Sequence, residues 1–173
     1  CVGAWNPGLG VSGLTLRDNS GFKNNGTLTG GPTWAASGGK YALSFDGVDD
    51  FVKCSNVSVG NLGTKNATIV VWCVLQNSNL FGNIISKRNN GGVFQQWALF
   101  QGYLNTSFAA VPEKKVSMFW YAGGAITASQ HIYTTADVAD GKLHCVVCRR
   151  INGATPQIWI DGINRAVTVI GTA

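Results

Sequence analysis

Acidic side chains are scarce in this chain. Its 173 residues hold eight Asp and Glu against 13 Lys and Arg, and Glu113, beside Lys114 in a predicted loop, is the single glutamate. Hydrolysis of glycosides generally needs two facing carboxyl groups about 5–10 Å apart. Asp49 and Asp50 are neighbours, and on a strand they would point to opposite faces. The sequence therefore predicts that the protein is not an enzyme.

Charge of either sign and long apolar runs are also lacking. Charged residues make up 12% of the chain, and the net charge of +5 comes from basic pairs that long neutral stretches separate. A nucleic-acid surface requires a clustered basic stripe, so we predict no nucleic-acid partner. No apolar run approaches the ~20 residues that span a bilayer, so we also predict no membrane insertion.

Cysteine and histidine patterns give no sign of a reactive centre. Five cysteines would leave one unpaired if disulfides formed, and a chain of this size does not depend on disulfides, so the sequence predicts free buried thiols. Cys145 and Cys148 lie three apart in a β-prone run, so they would face opposite sides of a sheet and form no zinc or redox pair. His131 and His144 lack a plausible Ser or Asp partner, which excludes a catalytic triad.

Short β-prone segments separated by glycine-bearing turns fill the sequence, which has 23 Gly. Residues 67–75 and 143–148 are apolar at successive positions, which predicts central strands covered on both faces. Asp161-Gly162 between two β segments, 157–160 and 163–170, is the strongest hairpin signal. The pattern predicts an all-β fold, an antiparallel two-sheet β-sandwich.

Several motifs follow one another in a characteristic order. They are a loop from Asp18-Asn19-Ser20-Gly21 to Asn25-Gly26-Thr27, a hairpin at Phe45-Asp46-Gly47-Val48-Asp49-Asp50-Phe51-Val52, a strand at Thr68–Trp72 and Ile158-Trp159-Ile160-Asp161-Gly162. In this order they resemble the laminin G-like jelly-roll domains of the concanavalin A-like lectin/glucanase superfamily. The resemblance implies one domain over residues 1–173 that lacks the family's closing C-terminal segment after Ile170-Gly171.

The resemblance also implies a function and a location. It favours a non-enzymatic recognition module, a carbohydrate- or surface-binding, lectin-like domain of a bacterial or phage extracellular protein. The alternative is a structural or decoration subunit of a phage or surface assembly that binds no glycan. Either would act outside a cell, on a cell surface or on a virion. Homo-oligomers or larger assemblies would form through the C-terminal edge, residues 163–173, because an uncovered sheet edge tends to associate.

Candidate ligand residues are of two kinds. Exposed aromatics with neighbouring amides stack on sugar rings, although aromatics in a sandwich more often form the core. The residues predicted to bind a glycan are Trp97, Tyr103, Asn105, Trp120 and Tyr121.

A structural calcium ion is the one cofactor that the resemblance suggests. Asp18 with Asn24 or Asn25 would supply hard oxygen ligands, which calcium prefers. The same residues are equally suited to shaping a turn through side-chain to backbone hydrogen bonds.

Overall fold

The computed structural model describes residues 1–37, 39–54, 65–76, 82–88, 95–103, 111–121 and 129–170. Over these residues the fold is all-β, with antiparallel pairing throughout. Contacts divide the chain into two compact units, Cys1–Gly60 and Asn61–Ala173. The prediction of one domain over 1–173 stays a prediction. Within the described ranges, no helix is long and apolar enough to cross a membrane.

The first unit contains a short 3-10 helix and five strands. The helix is Pro7–Leu9, and the strands are β1 (Thr15–Leu16), β2 (Gly26–Thr29), β3 (Thr33–Ser37), β4 (Lys40–Ser44) and β5 (Phe51–Cys54). One sheet has the order β1-β2-β5, and β3 and β4 form a separate hairpin.

The predicted hairpin at residues 45–52 is wrong in its pairing. The Asp46-Gly47 turn exists, and Gly47 has the positive φ of 79° that such a turn requires. However, β4 pairs with β3 and β5 pairs with β2, so the turn carries the chain from one sheet to another.

The second unit contains nine strands in two sheets. They are β6 (Ala67–Val74), β7 (Gly82–Arg88), β8 (Gln95–Tyr103), β9 (Val111–Tyr121), β10 (Ser129–Thr134), β11 (Leu143–Arg150), β12 (Gln157–Ile160), β13 (Ile163–Arg165) and β14 (Val167–Ile170). The five-stranded sheet has the order β14-β10-β9-β8-β7, and the four-stranded sheet has the order β13-β12-β11-β6.

The two sheets of the second unit share one apolar core. The four-stranded sheet contributes Ile69, Val71, Val146, Cys148, Ile158 and Ile160, and the five-stranded sheet contributes Trp97, Leu99, Val116, Met118, Trp120 and Ile132. Packing of two antiparallel sheets face to face is the arrangement of a β-sandwich.

The predicted hairpin at Asp161-Gly162 is confirmed. Both residues have positive φ, 54° and 78°, and they connect β12 to β13. The following segment, predicted as one strand, is divided at Ala166. Before Ala166 it belongs to the four-stranded sheet as β13, and after it to the five-stranded sheet as β14. Both strands lie at a sheet edge among the described strands, whereas association through them stays a prediction.

Strand β6 differs from the central, doubly covered strand that its sequence predicts. It lies at the edge of the four-stranded sheet, where the described residues pair it with β11 alone. Its side chains alternate between half-buried and exposed along its whole length. One face of β6 packs on the core, and the other faces away from it.

Two residues of types that favour turns, Gly102 and Pro112, lie inside strands. Gly102 belongs to β8, where its φ of 61° coincides with a shift of register between Gln101 and Tyr103 against β9. This combination is typical of a β-bulge. Pro112 lies at the second position of β9, next to the bulge, where a missing N–H donor is tolerated.

Candidate functional site

Two of the predicted glycan-binding residues are buried in the second unit. Trp97 and Trp120 lie opposite each other on β8 and β9 and are 8% and 3% exposed. The Arg150 guanidinium lies 5.2 Å from the centre of the Trp120 ring, and its Nη1 donates to the Lys65 carbonyl at 2.9 Å. Neither indole offers a face to a sugar here, so the arrangement fits the core interpretation.

The remaining predicted glycan contacts lie where the structure gives less detail. The backbones of Tyr103 and Tyr121 are in β8 and β9, opposite Val111 and Ser129. Their side chains, and the whole of Asn105, lie outside the described part of the chain. A ligand contact at these three residues stays a prediction.

Asp18 organises the loop between β1 and β2. Its Oδ1 accepts hydrogen bonds from the backbone N–H groups of Ala4 and Ser20, both at 2.8 Å. Its Oδ2 accepts from the Ser20 hydroxyl and the Asn24 N–H, both at 2.7 Å. Four donors thus fill the acceptor sites of a carboxylate.

These bonds hold the carboxyl group ionised. Burial alone would raise the pKa of Asp18, but the bonds from Ala4, Ser20 and Asn24 outweigh it and lower the pKa to about 2. Asn25 is also engaged, because its Oδ1 accepts from the Asp18 N–H at 2.9 Å. The two residues proposed as calcium ligands already serve as turn acceptors. They do not fit a calcium site, and we assign none to them.

Three carboxylates meet in the turn before β5. Oxygens of Asp46, Asp49 and Asp50 lie within 4.8 Å of one another, although the alternation of a strand would separate the last two. Asp46 Oδ1 accepts from the Val48 N–H, and Asp50 Oδ2 accepts from the Asp46 N–H, each at 2.8 Å. Hydrogen bonding, above all from Val48, lowers the pKa of Asp46. A glycosidase acid needs a raised pKa, so this cluster does not point to a hydrolase.

The face of the four-stranded sheet that points away from the core is the most unusual surface of the second unit. We call it the outer face. Trp72 on β6 is 68% exposed, and Val70, Val74 and Leu143 are exposed beside it. The register places Trp72 opposite Cys145. It also places Val147 between Val70 on one side and Trp159 on the other. Seven apolar side chains therefore form the centre of the outer face: Val70, Trp72, Val74, Leu143, Cys145, Val147 and Trp159.

Polar side chains border this apolar centre. Thr68 lies opposite Arg149 and Arg149 opposite Gln157, which forms one border row, and Asn164 lies opposite Trp159. Strand spacing of ~4.8 Å and rows of outward residues ~6.7 Å apart give the apolar centre an area on the order of 300 Å². This is about the size of the largest apolar patch on a typical monomer, which often has a function.

His144 has two acidic partners, contrary to the sequence-based expectation. Its Nδ1 lies 2.7 Å from Asp161 Oδ2, and its Nε2 lies 2.9 Å from Asp140 Oδ1. Both ring nitrogens are therefore engaged, and neither is left to activate a nucleophile. The arrangement ties the loop before β11 to the β12–β13 turn and is structural in character.

We predict that this cluster gives the second unit a pH-dependent stability. The hydrogen bonds to Asp140 and Asp161 raise the pKa of His144 above 6.5, so its stabilisation is present below pH 6.5 and is lost as pH rises through the raised value. The pKa of Asp140 is lowered to about 2, chiefly by the hydrogen bond from His144. The stabilisation by Asp140 is therefore present above pH 3.8 and is lost as pH falls toward 2. In urea unfolding, the difference in unfolding free energy between wild type and His144→Gln should be largest between pH 3.8 and pH 6.5. It should shrink above neutral pH.

Proton NMR provides the control for this prediction. The chain has two histidines, and burial lowers the pKa of the other, His131, to about 4. The two ring resonances should therefore titrate on opposite sides of 6.5. A His144 resonance that titrates below pH 6.5 would contradict a protonated His144 ring between Asp140 and Asp161.

Comparison with known proteins gives no match. No family model fits the chain, and no curated protein or solved structure is similar to it. The laminin G-like assignment accordingly stays a prediction from the motifs in the sequence.

Proposed function

We propose that the chain is a non-enzymatic assembly module that binds a second copy of itself through the outer face. The observation that carries the proposal is Trp72, a large aromatic that is 68% exposed half-way along the edge strand β6, with apolar neighbours on the same face. Uncharged aromatic centres with polar borders are the anatomy of protein interfaces, and Trp is among the residues that dominate binding energy.

A second copy suits this surface because it presents an identical apolar sheet face. Antiparallel sheets bury apolar faces against each other at about 10 Å, and a two-fold contact requires the patch to complement itself. The apolar centre carries no charged group, so self-contact brings no like charges together there. The rim offers both signs, Arg149 and Asp161, which lie at exposed positions.

The size of the surface sets the expected strength. A standard interface buries about 800 Å² on each partner, so the apolar centre must be joined by its polar border to approach that value. We therefore expect a dissociation constant on the order of micromolar. Each chain carries a net charge of +5, and their repulsion is screened as salt rises. Self-association should strengthen with ionic strength.

The finer identity belongs to the same proposal. A laminin G-like jelly roll that serves as a structural or decoration subunit outside a cell or on a virion would use such a surface to assemble. The shared core of the two sheets supports a sandwich of this general kind. The edge positions of β13 and β14 offer a further route for association.

Sedimentation velocity over a range of concentrations tests the proposal. We expect a monomer–dimer equilibrium for wild type, and Trp72→Arg should weaken it at least about thirtyfold, the effect of losing a hot-spot side chain. Phe22→Arg is the matched control, since Phe22 is also an exposed aromatic, 54% accessible, but belongs to the first unit. A wild-type chain that stays monomeric at high concentration and high salt would refute self-assembly.

Glycan recognition is the second candidate function. Trp72 and Trp159 both lie on the outer face, and Gln157 and Asn164 could donate hydrogen bonds beside them. Indole faces stack on the C–H faces of sugar rings, which is how lectins hold neutral glycans. A glycan-array signal that a monomeric wild type shows and Trp72→Ala loses would favour this function over assembly.

A further inference from the structure

An open cleft of about 650 Å³ in the first unit has a lining that is entirely polar or charged. It lies around the loop between β1 and β2. Its two cationic side chains are Arg17 and Lys23, and its uncharged ones include Ser12, Thr15, Asn19 and Asn25. The residues that line the cleft belong to the first unit, and those of the outer face belong to the second unit.

The hydrogen bonds of the loop leave the cleft rich in donors. The Asp18 carboxylate at its wall is saturated by four donors from within the loop. Among the described residues, the Arg17 guanidinium and the Lys23 ammonium make no ion pair, and the Asn25 side-chain nitrogen donates no hydrogen bond. Asp18 keeps its negative charge, so two cations outweigh one anion in the lining, and the groups that remain for a ligand are mainly N–H and hydroxyl donors.

The backbone of Lys23 adds an independent observation. Its φ of 51° is left-handed, a conformation that favours glycine and costs free energy for lysine. Its carbonyl accepts from the Asn25 N–H at 2.9 Å, which fixes the turn in this form. Strained backbone in non-glycine residues clusters at ligand-binding and other functional sites, although tight turns also contain it. Here the side chain is a cation at the edge of the cleft.

We propose that this cleft binds a compact oxyanion, a carboxylate or sulfate group on a hydroxyl-bearing ligand, with Arg17 and Lys23 as its counter-charges. Bonds to charged groups are stronger than neutral ones, so the two cations provide most of the affinity. The neutral hydroxyl and amide groups of Thr15 and Asn25 hold the adjoining hydroxyls. The proposal does not depend on the function assigned to the outer face.

Titration of the full-length chain followed by ¹⁵N–¹H NMR tests the proposal at constant ionic strength. The probes are inorganic sulfate, glucuronate and, as the neutral counterpart of glucuronate, glucose. We expect saturable shifts of the Asn19, Ser20 and Asn25 amides with an oxyanion and none with glucose. Saturation by sulfate alone would identify a sulfate-type ligand, and tighter saturation by glucuronate would identify a carboxylated sugar.

Two variants separate binding from structure. Lys23→Gly removes the cation and relieves the strained φ, so oxyanion affinity should fall about tenfold or more while the melting temperature stays equal or rises. Arg17→Gln should lower affinity similarly. Lys40→Gln is the control, since Lys40 is an exposed lysine of the same unit outside the cleft lining, and its affinity should match wild type. Shifts that do not saturate, that glucose reproduces, or that survive in both cleft variants would overturn the proposal.

Discussion

Replacing Trp120 by alanine should lower the unfolding free energy of the second unit by about 3–5 kcal/mol. The indole is 3% exposed and belongs to the core shared by both sheets. Its removal leaves a cavity opposite Trp97 and takes the aromatic ring from the buried Arg150 guanidinium. The loss thus combines burial, packing and a partly desolvated cation–π contact. Guanidinium unfolding followed by circular dichroism measures it.

The matched control is Trp72→Ala, the same change on an exposed indole. Trp72 is 68% exposed, so its loss should cost less than about 1 kcal/mol when measured at a concentration where the chain is monomeric. Self-association should respond in the opposite way. It should be lost in Trp72→Ala, and it should be unchanged in the fraction of Trp120→Ala that stays folded. Equal stability losses for the two variants would contradict the division between core and outer face.

The contrast between these two tryptophans shows what the sequence could predict. Strand β6 was predicted from its apolar, β-branched residues, and the prediction is confirmed within one residue at its end. An all-apolar strand does not reveal which face is covered, because that depends on strands distant in the chain. The pattern therefore predicts a covered Trp72, and it leaves Trp97 and Trp120 open between a sugar-binding surface and the core. A weak signal existed in Thr68 and Arg149, polar residues in phase with the outward positions of their strands.

Turn chemistry was predicted more successfully than strand pairing. Asp161-Gly162 forms the hairpin turn that its residues favour, because two positive φ angles in succession fix a tight reversal between neighbouring strands. Asn25-Gly26 forms no such hairpin turn, because Gly26 is the first residue of β2. A Cβ at this position would come 2.3 Å from Val52 Cγ1. A dipeptide determines local backbone angles, whereas the partner of each strand is decided by long-range packing.

The paired carboxylates of His144 lay beyond sequence reasoning for a similar reason. Asp140 is four residues away, but the intervening residues cross from a loop into β11, so no helical spacing brings the two together. Asp161 is brought to the ring by the pairing of β11 with β12. The site consequently depends on the register of the sheet.

Replacing Asp18 by alanine should destabilise the first unit by about 3–5 kcal/mol. The change leaves the N–H groups of Ala4, Ser20 and Asn24 without their acceptor. The Asn24 bond is buried and the other two are partly buried, and a buried donor left unsatisfied costs about 1–3 kcal/mol. Hydrogen exchange of these three amides, together with thermal unfolding, measures the loss. Asp49→Ala is the control, because the Asp49 side chain is exposed, and its effect should stay within about 0.5 kcal/mol.

The variant Asp18→Asn tests whether Asp18 stabilises the loop by accepting hydrogen bonds or only by filling space. An asparagine has the same shape, but one of its two terminal atoms becomes an NH₂ donor and would face N–H or O–H donors of Ser20 and Asn24. We expect it to destabilise the unit nearly as much as alanine does. The wild-type contribution should persist above pH 3.8 and be lost as pH falls through about 2, since hydrogen bonding lowers the pKa of Asp18 to that value against the opposing effect of burial. An Asp18→Asn chain with wild-type stability at neutral pH would show that the four hydrogen bonds do not hold the loop.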